Sequence, residues 1–212
     1  MLGHMSFAQK ERERLGRLFL EVGPDAPTLC EGWVTRDLAC HLYIRESKPL
    51  AAAGNFIRPL KSTLDKEMDA QRDRPYPDVV RAWAAGPPRF VAPFDALMNT
   101  SEHFVHHEDV RRGDGVARPR EFSAATNEAL LTLAKRVGAM TMRATPTPVV
   151  LTPPTLPPVT VGGKREVARR GDDIIRVKGE PGELLLWVSG RRAVDVELEG
   201  DAEKISKLDI EL

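Results

Sequence analysis

The sequence predicts an α+β fold: a helical bundle over residues 1–144, then a small α+β domain over residues 145–212. Three observations predict it. As far as Met142, apolar residues recur mostly at helical spacing. Between Thr145 and Pro158 the composition changes, with six prolines and several threonines. After that come short alternating segments punctuated by glycine, which is strand spacing. The second part is small for an independent core, so the two parts are expected to pack together.

Composition narrows the function classes. The chain has 212 residues, 42% hydrophobic and 29% charged, a globular balance. The formal net charge is zero, which removes any general electrostatic case for nucleic acid or an anionic membrane. No apolar run approaches the ~20 residues of a membrane-spanning helix. Lys10-Glu11-Arg12-Glu13-Arg14 occupies the place where a secretory signal would be apolar. Cys30 and Cys40 do not make a disulfide framework. The expectation is a soluble cytoplasmic protein, monomer or homodimer, with free thiols. Gly3-His4-Met5 has the look of a cloning remnant and is set aside.

The elements follow in order. Residues 6–22 form the first helix, capped by Ser6, with Leu15, Leu18, Phe19 and Val22 inward. Gly23-Pro24 ends it, and a loop carries Cys30. Thr35 is expected to cap the second helix, with Asp37 in its first turn. Leu38, His41 and Leu42 share one face there, so His41 points inward among aliphatic groups. Residues 60–71 read as a short polar helix or a mobile cover. Residues 77–85 form a helix with Trp83 buried, ended by Pro87-Pro88, and residues 89–98 lead into the next helix. From Asp95 to Arg112 no proline or glycine intervenes; Gly113 is the stop, and Arg111 and Arg112 suit the negative end of the dipole. Residues 123–142 make a long apolar helix through Ala129, Leu130, Leu133, Ala134, Val137 and Met140. The proline-rich stretch reads as a linker or an edge strand. Residues 159–161, 166–170, 174–178 and 194–198 read as strands, with turns at Gly162-Gly163 and Gly171-Asp172-Asp173. Leu184-Leu185-Leu186-Trp187-Val188 reads as a short helix on the sheet, and residues 202–208 as a terminal helix.

The chemistry concentrates in one helix. Three imidazoles and three carboxylates lie between Glu102 and Asp109. At about 100° per residue, Phe94, Leu97, Met98, Phe104 and Val105 share an apolar arc. Glu102, His106 and Asp109 fall at its margin; His103 and His107 fall further round, with fewer apolar neighbours. A carboxylate and an imidazole at i and i+4 on the edge of a core need partners. One divalent cation can take both, with His41 from the second helix as a third ligand. Zinc accepts such a set and keeps a fourth position open; nickel, iron and manganese accept it too. Such a cation acidifies bound water or thiol, supporting nucleophilic addition or hydrolysis.

Each residue also has a plainer reading. The helix can be a solvated polar face, and His103 and His107 form a rival pair at the same spacing. Asp109 is either an acceptor orienting an imidazole or an ordinary carboxylate near a helix end. Cys30 can serve as nucleophile or fourth ligand, but is read here as a small core residue, as is Cys40. Arg191 and Arg192 follow Gly190 at a turn, where a guanidinium can meet an anionic substrate or simply face water. Gly162-Gly163-Lys164 lacks the rest of a phosphate loop.

Taken together, Cys-Glu-Gly-Trp-Val-Thr-Arg-Asp-Leu-Ala-Cys-His-Leu at 30–42 and Glu-x-x-x-His-x-x-Asp at 102–109 resemble the mycothiol-dependent maleylpyruvate isomerase family. That family belongs to the DinB-like metal-binding four-helix bundles. Leu-Leu-Leu-Trp-Val-Ser-Gly-Arg-Arg, then Glu-Leu-Glu-Gly-Asp, resembles its C-terminal α+β domain. The resemblance implies a divalent metal, zinc first, on His41, Glu102 and His106. It implies Arg191 as a catalytic arginine, and mycothiol, a thiol of actinobacteria, as cosubstrate. Some DinB-like proteins carry His-x-x-x-His here, which keeps His103 and His107 open. Three functions compete: a metal- and thiol-dependent isomerase or S-transferase on a small electrophile, a non-enzymatic metal-binding or stress-response module, and a metal-dependent hydrolase.

Overall fold

A computed structural model describes residues 5–86, 96–163, 166–169, 173–208 and 210, and places them in two compact units, Met1–Asp114 and Gly115–Leu212. The expectations for His4, Pro87-Pro88, residues 89–95, the side chains of Leu97 and Met98, Lys164, Arg170 and Gly171-Asp172 lie outside the described residues.

The first unit is a helical bundle. Its long helices are α1 (Phe7–Val22), α2 (Thr35–Ser47), α5 (Tyr76–Ala84) and α6 (Ala96–Arg111), with α3 (Pro49–Ala52) and α4 (Lys61–Arg72) between α2 and α5. α1 lies along α6 and also packs on α5, while α2 packs on α5 and α4. Ser6 opens α1 with a reciprocal cap: its Oγ accepts from the Gln9 N–H, and Gln9 Oε1 accepts from the Ser6 N–H at 2.8 Å. Gly23 closes α1 at φ 82°, a backbone conformation that disfavours a side chain.

Thr35 does not cap α2. Val34 holds that position, and the Asp37 carboxylate accepts the Val34 N–H at 3.1 Å. The Thr35 hydroxyl is drawn off to the Gly23 carbonyl. The core is built by Leu15, Phe19, Leu38, Leu42, Tyr76, Val80, Trp83 and Val110. Val22, expected inside, is exposed at the C-terminal end of α1.

The second unit joins α7 (Ala124–Thr141) and α8 (Pro181–Val188) to a four-stranded sheet, with α9 (Ala202–Ser206) near its end. The strands are β1 (Pro148–Thr152), β2 (Val159–Gly162), β3 (Ile175–Lys178) and β4 (Glu197–Glu199), in spatial order β2-β1-β3-β4. β1 pairs antiparallel with β2 and parallel with β3, and β3 pairs antiparallel with β4. α7 packs on α8 and comes so close to β2 that a Cβ on Gly138 would meet Val161 Cγ1 at 3.0 Å. Met140, at the outer side of α7, is exposed.

Two strand expectations change. The proline-rich stretch is neither linker nor edge: it contains β1, an interior strand of the sheet. Pro148 sits at the first position and Pro153 just past the last, so neither removes an N–H from the middle of the ladder. Val149, Val150 and Leu151 between them are buried. Residues 166–169 form no strand, because Glu166 takes φ 52°, incompatible with extension. No helix among the described residues is long and apolar enough to cross a membrane.

Candidate functional site

α6 carries the chemistry, and it is buried nearly all round. From Ser101 to Val110 only Glu102 retains partial exposure. Over residues 101–110 the helix therefore has no solvated face, and its polar groups there must be answered from neighbouring helices.

One flank is answered completely by α1 and α2. His103 Nδ1 donates to the Ala8 carbonyl at 3.1 Å, and His103 Nε2 meets Glu46 Oε1 at 2.9 Å. Glu46 also accepts the Trp83 indole N–H at 2.9 Å and pairs with the Arg12 guanidinium. Arg12 in turn donates to the Trp83 carbonyl at 2.7 Å. Burial alone would raise the Glu46 carboxyl, but His103 and Arg12 outweigh it and hold the group below its usual range. His107 Nδ1 meets Glu11 Oε2 at 2.7 Å. His103 and His107 thus point to carboxylates of α1 and α2 and not toward His41. Their buried surroundings also correct the expectation of few core neighbours.

The other flank gathers the predicted residues. His41 on α2 and Glu102 and His106 on α6 bring one ligand atom each within 4.8 Å of one another. Glu102 Oε2 lies 3.3 Å from His106 Nε2, and the His41 and His106 rings stand edge to face at 5.6 Å. Asp109 lies one turn on, with Oδ2 2.8 Å from His106 Nδ1. A carboxylate there fixes the ring proton at Nδ1 and turns the Nε2 lone pair toward Glu102 and His41.

The protonation states suit a cation. Burial, then the neighbouring His106, pushes His41 down to about 4, so its lone pair is available at neutral pH. Burial disfavours the Glu102 anion, yet hydrogen bonding and charge from His106, with Arg45 and His41, bring it to about 2. Burial opposes charge on His106 as well, but Asp109, Cys30 and Glu102 raise it well above the ordinary imidazole value. Without a cation, then, a proton holds the two anions together. Two imidazole nitrogens and one carboxylate oxygen at this spacing fit zinc or a similar divalent ion.

Residues that the helical wheel did not single out complete the surroundings. Arg45, one turn beyond His41, places Nε 3.3 Å from Glu102 Oε2. The i, i+4 relation to His41 was the available signal. The Trp33 ring lies 5.2 Å from that of His41. Both border a cavity of about 430 Å³ that Asn55, Leu64, Met68 and Arg72 also line. Residues 60–71 are thus largely the helix α4, which forms a wall of this cavity.

Cys30 is half-buried, and its thiol donates to Asp109 Oδ2 at 3.3 Å. It faces the Nδ1 edge of His106, which places it away from a fourth position at Nε2. Cys40 is a core residue among Ile44, Ala51, Met68 and Val79, and burial pushes its thiol up to about 11.

Arg191 belongs to the second unit. It follows the Gly190 turn, donates to the Ser189 carbonyl at 2.6 Å, and lines a cavity of about 420 Å³ with Trp187, Arg192, Val196 and Leu198.

No family model and no curated protein matches this sequence. Solved structures do match. A histidine-to-alanine variant of mycothiol-dependent maleylpyruvate isomerase aligns with a TM-score of 0.63 at 15% identity, covering 92% of each chain. The unsubstituted isomerase aligns at 0.61 and 14%, again covering 92% of each chain. The chain shares the α+β fold of that isomerase over nearly its whole length.

Proposed function

We propose that this chain, built on the fold of mycothiol-dependent maleylpyruvate isomerase, is a soluble cytoplasmic metal- and thiol-dependent enzyme. It would bind a divalent cation, zinc first, on His41, Glu102 and His106. With mycothiol as cosubstrate it would isomerise a small electrophile or, as an S-transferase, join the thiol to it through its sulfur. The observation that carries this reading is the convergence of three ligand atoms from α2 and α6 within 4.8 Å beside a cavity.

When bound, the cation supplies Lewis acidity, which favours the thiolate at neutral pH. The chain's own residues do the rest. Asp109 holds the His106 ring in the tautomer that offers Nε2. Arg45 holds one Glu102 oxygen and keeps the carboxylate ionised. Trp33, Leu64 and Met68 give the cavity an apolar wall, and Asn55 and Arg72 give it polar groups. Arg191, in the second unit, is proposed as the catalytic arginine that the sequence resemblance implies.

The test combines metal analysis with turnover. Purified protein should bind one equivalent of zinc and lose it in His41→Ala and His106→Ala. The zinc-loaded protein should turn over maleylpyruvate or a related electrophile only with mycothiol present. Zinc binding without any effect of thiol would leave the non-enzymatic reading. Thiol-independent cleavage would leave the hydrolase. Failure to bind zinc, nickel, iron or manganese would remove all three.

A further inference from the structure

His106 has two nitrogen edges, and each faces its own set of donors. Nε2 looks toward Glu102 and His41. Nδ1 looks toward Asp109 Oδ2 at 2.8 Å and Cys30 Sγ at 4.0 Å, and those two atoms are 3.3 Å apart. Ligand atoms of Cys30, His106 and Asp109 therefore meet the same mutual limit of 4.8 Å as the first trio. Tetrahedral zinc with ligands at about 2.0–2.3 Å spaces them roughly 3.3–3.8 Å apart. The three observed distances bracket that range.

The second set is also held in place. The Leu29 N–H donates to the Asp109 carbonyl at 3.0 Å, tying the cysteine turn to α6. Thr28 Oγ1 accepts the Cys30 N–H at 3.2 Å and donates to the Trp33 carbonyl at 2.8 Å. Asp109 is fully buried.

We propose a second cation site formed by Cys30 Sγ, the Asp109 carboxylate and His106 Nδ1, suited to a soft cation and competing with the first site for one imidazole. A thiolate selects cadmium-like ions, whereas the imidazole–carboxylate set accepts harder ones. The protons balance without any redox change. The thiol proton leaves to solvent as sulfur binds the cation. The His106 imidazolium gives up its Nδ1 proton to solvent and keeps its Nε2 proton, which faces Glu102 Oε2 at 3.3 Å. The ring is then neutral and serves one cation at a time. Soft cations would thus divert His106 from the first site. This goes beyond the enzymatic reading and shares with it His106 and its partner Asp109.

Cadmium tests the site. The metal-free full chain is titrated with Cd²⁺ while thiolate-to-cadmium charge-transfer absorption is followed. The band should rise to one equivalent in the unmodified protein and in His41→Ala. It should vanish in Cys30→Ser and in Cys30→Ala, each checked for folding by circular dichroism. Zinc affinity should fall at least ~10-fold in His41→Ala and stay within about threefold in Cys30→Ser. No band in the unmodified protein, or one that survives both Cys30 variants, overturns the proposal. A band that persists while His41→Ala leaves zinc affinity untouched would instead count against the first site alone.

Discussion

The two flanks of α6 each carry a pair of ligand-type side chains at the same spacing and do different work. Glu102 and His106 are four apart, as are His103 and His107. The difference comes from what the facing helices present. Toward His103 and His107, α1 offers Glu11, Arg12 and the Ala8 carbonyl, and α2 offers Glu46. Every charge there meets its opposite inside the bundle. Toward Glu102 and His106, α2 offers a second imidazole, His41, and a cavity lies alongside. Two imidazoles and a carboxylate converge there beside the cavity, which is an arrangement a cation completes. A cluster of histidines on one helix is thus two structures back to back, one closed and one ready for a ligand.

The largest expected effect breaks the closed flank. Arg12→Met would leave Glu46 buried beside His103 and Trp83 with its guanidinium gone. Removing one partner of a buried pair costs about 3–5 kcal/mol. Urea unfolding should show that loss while zinc affinity stays the same. A variant that loses zinc affinity instead would show that the flanks are not separate. His106→Ala should do the reverse. Zinc affinity should fall beyond the ~10–100-fold that loss of an outer partner costs, with a smaller change in stability. Equilibrium zinc titration against a competing chelator measures it.

Asp109→Asn sharpens the comparison at one atom. The amide keeps an oxygen for His106 Nδ1 but loses the charge, so the imidazole becomes a weaker donor. Zinc affinity should drop by ~10–100-fold, and the closed flank should be untouched. An unchanged affinity would reduce Asp109 to an ordinary buried carboxylate.

How much of this could be read from the chain depends on how local each cause is. The long helix α6 was legible because nothing between Asp95 and Arg112 breaks a helix. The facing of His41, Glu102 and His106 was legible because periodicity alone sets it. The partners of His103 and His107 were not, since Glu11 and Glu46 lie about ninety-six and fifty-seven residues away and only packing brings them near. Cys30 was read as a core residue because its loop meets α6 through one backbone bond, Leu29 to Asp109, which no side-chain pattern records. β1 hid among prolines because their placement, first in the strand and just beyond it, matters more than their number. Glu166 misled in the opposite direction: strand-like composition did not prevent a left-handed turn.

The smallest effect is the closed flank's own share of the pH dependence. The Glu46 carboxyl lies below its ordinary value of 4.5 in the folded chain, where His103 and Arg12 outweigh burial. A group whose folded value is depressed contributes stability above its unfolded value and loses it as pH falls through the folded one. Unfolding free energy should therefore decline below pH 4.5 in the unmodified protein, in part through Glu46. Glu46→Gln removes that titration and should flatten the acid limb, at the cost of lower stability near neutrality where the charge pair is intact. Urea titrations from neutrality down into the acid range compare the two slopes. Parallel curves would mean that Glu46 is neutralised equally in both states, and that the closed flank is held by packing and hydrogen bonds with no net contribution from its charge.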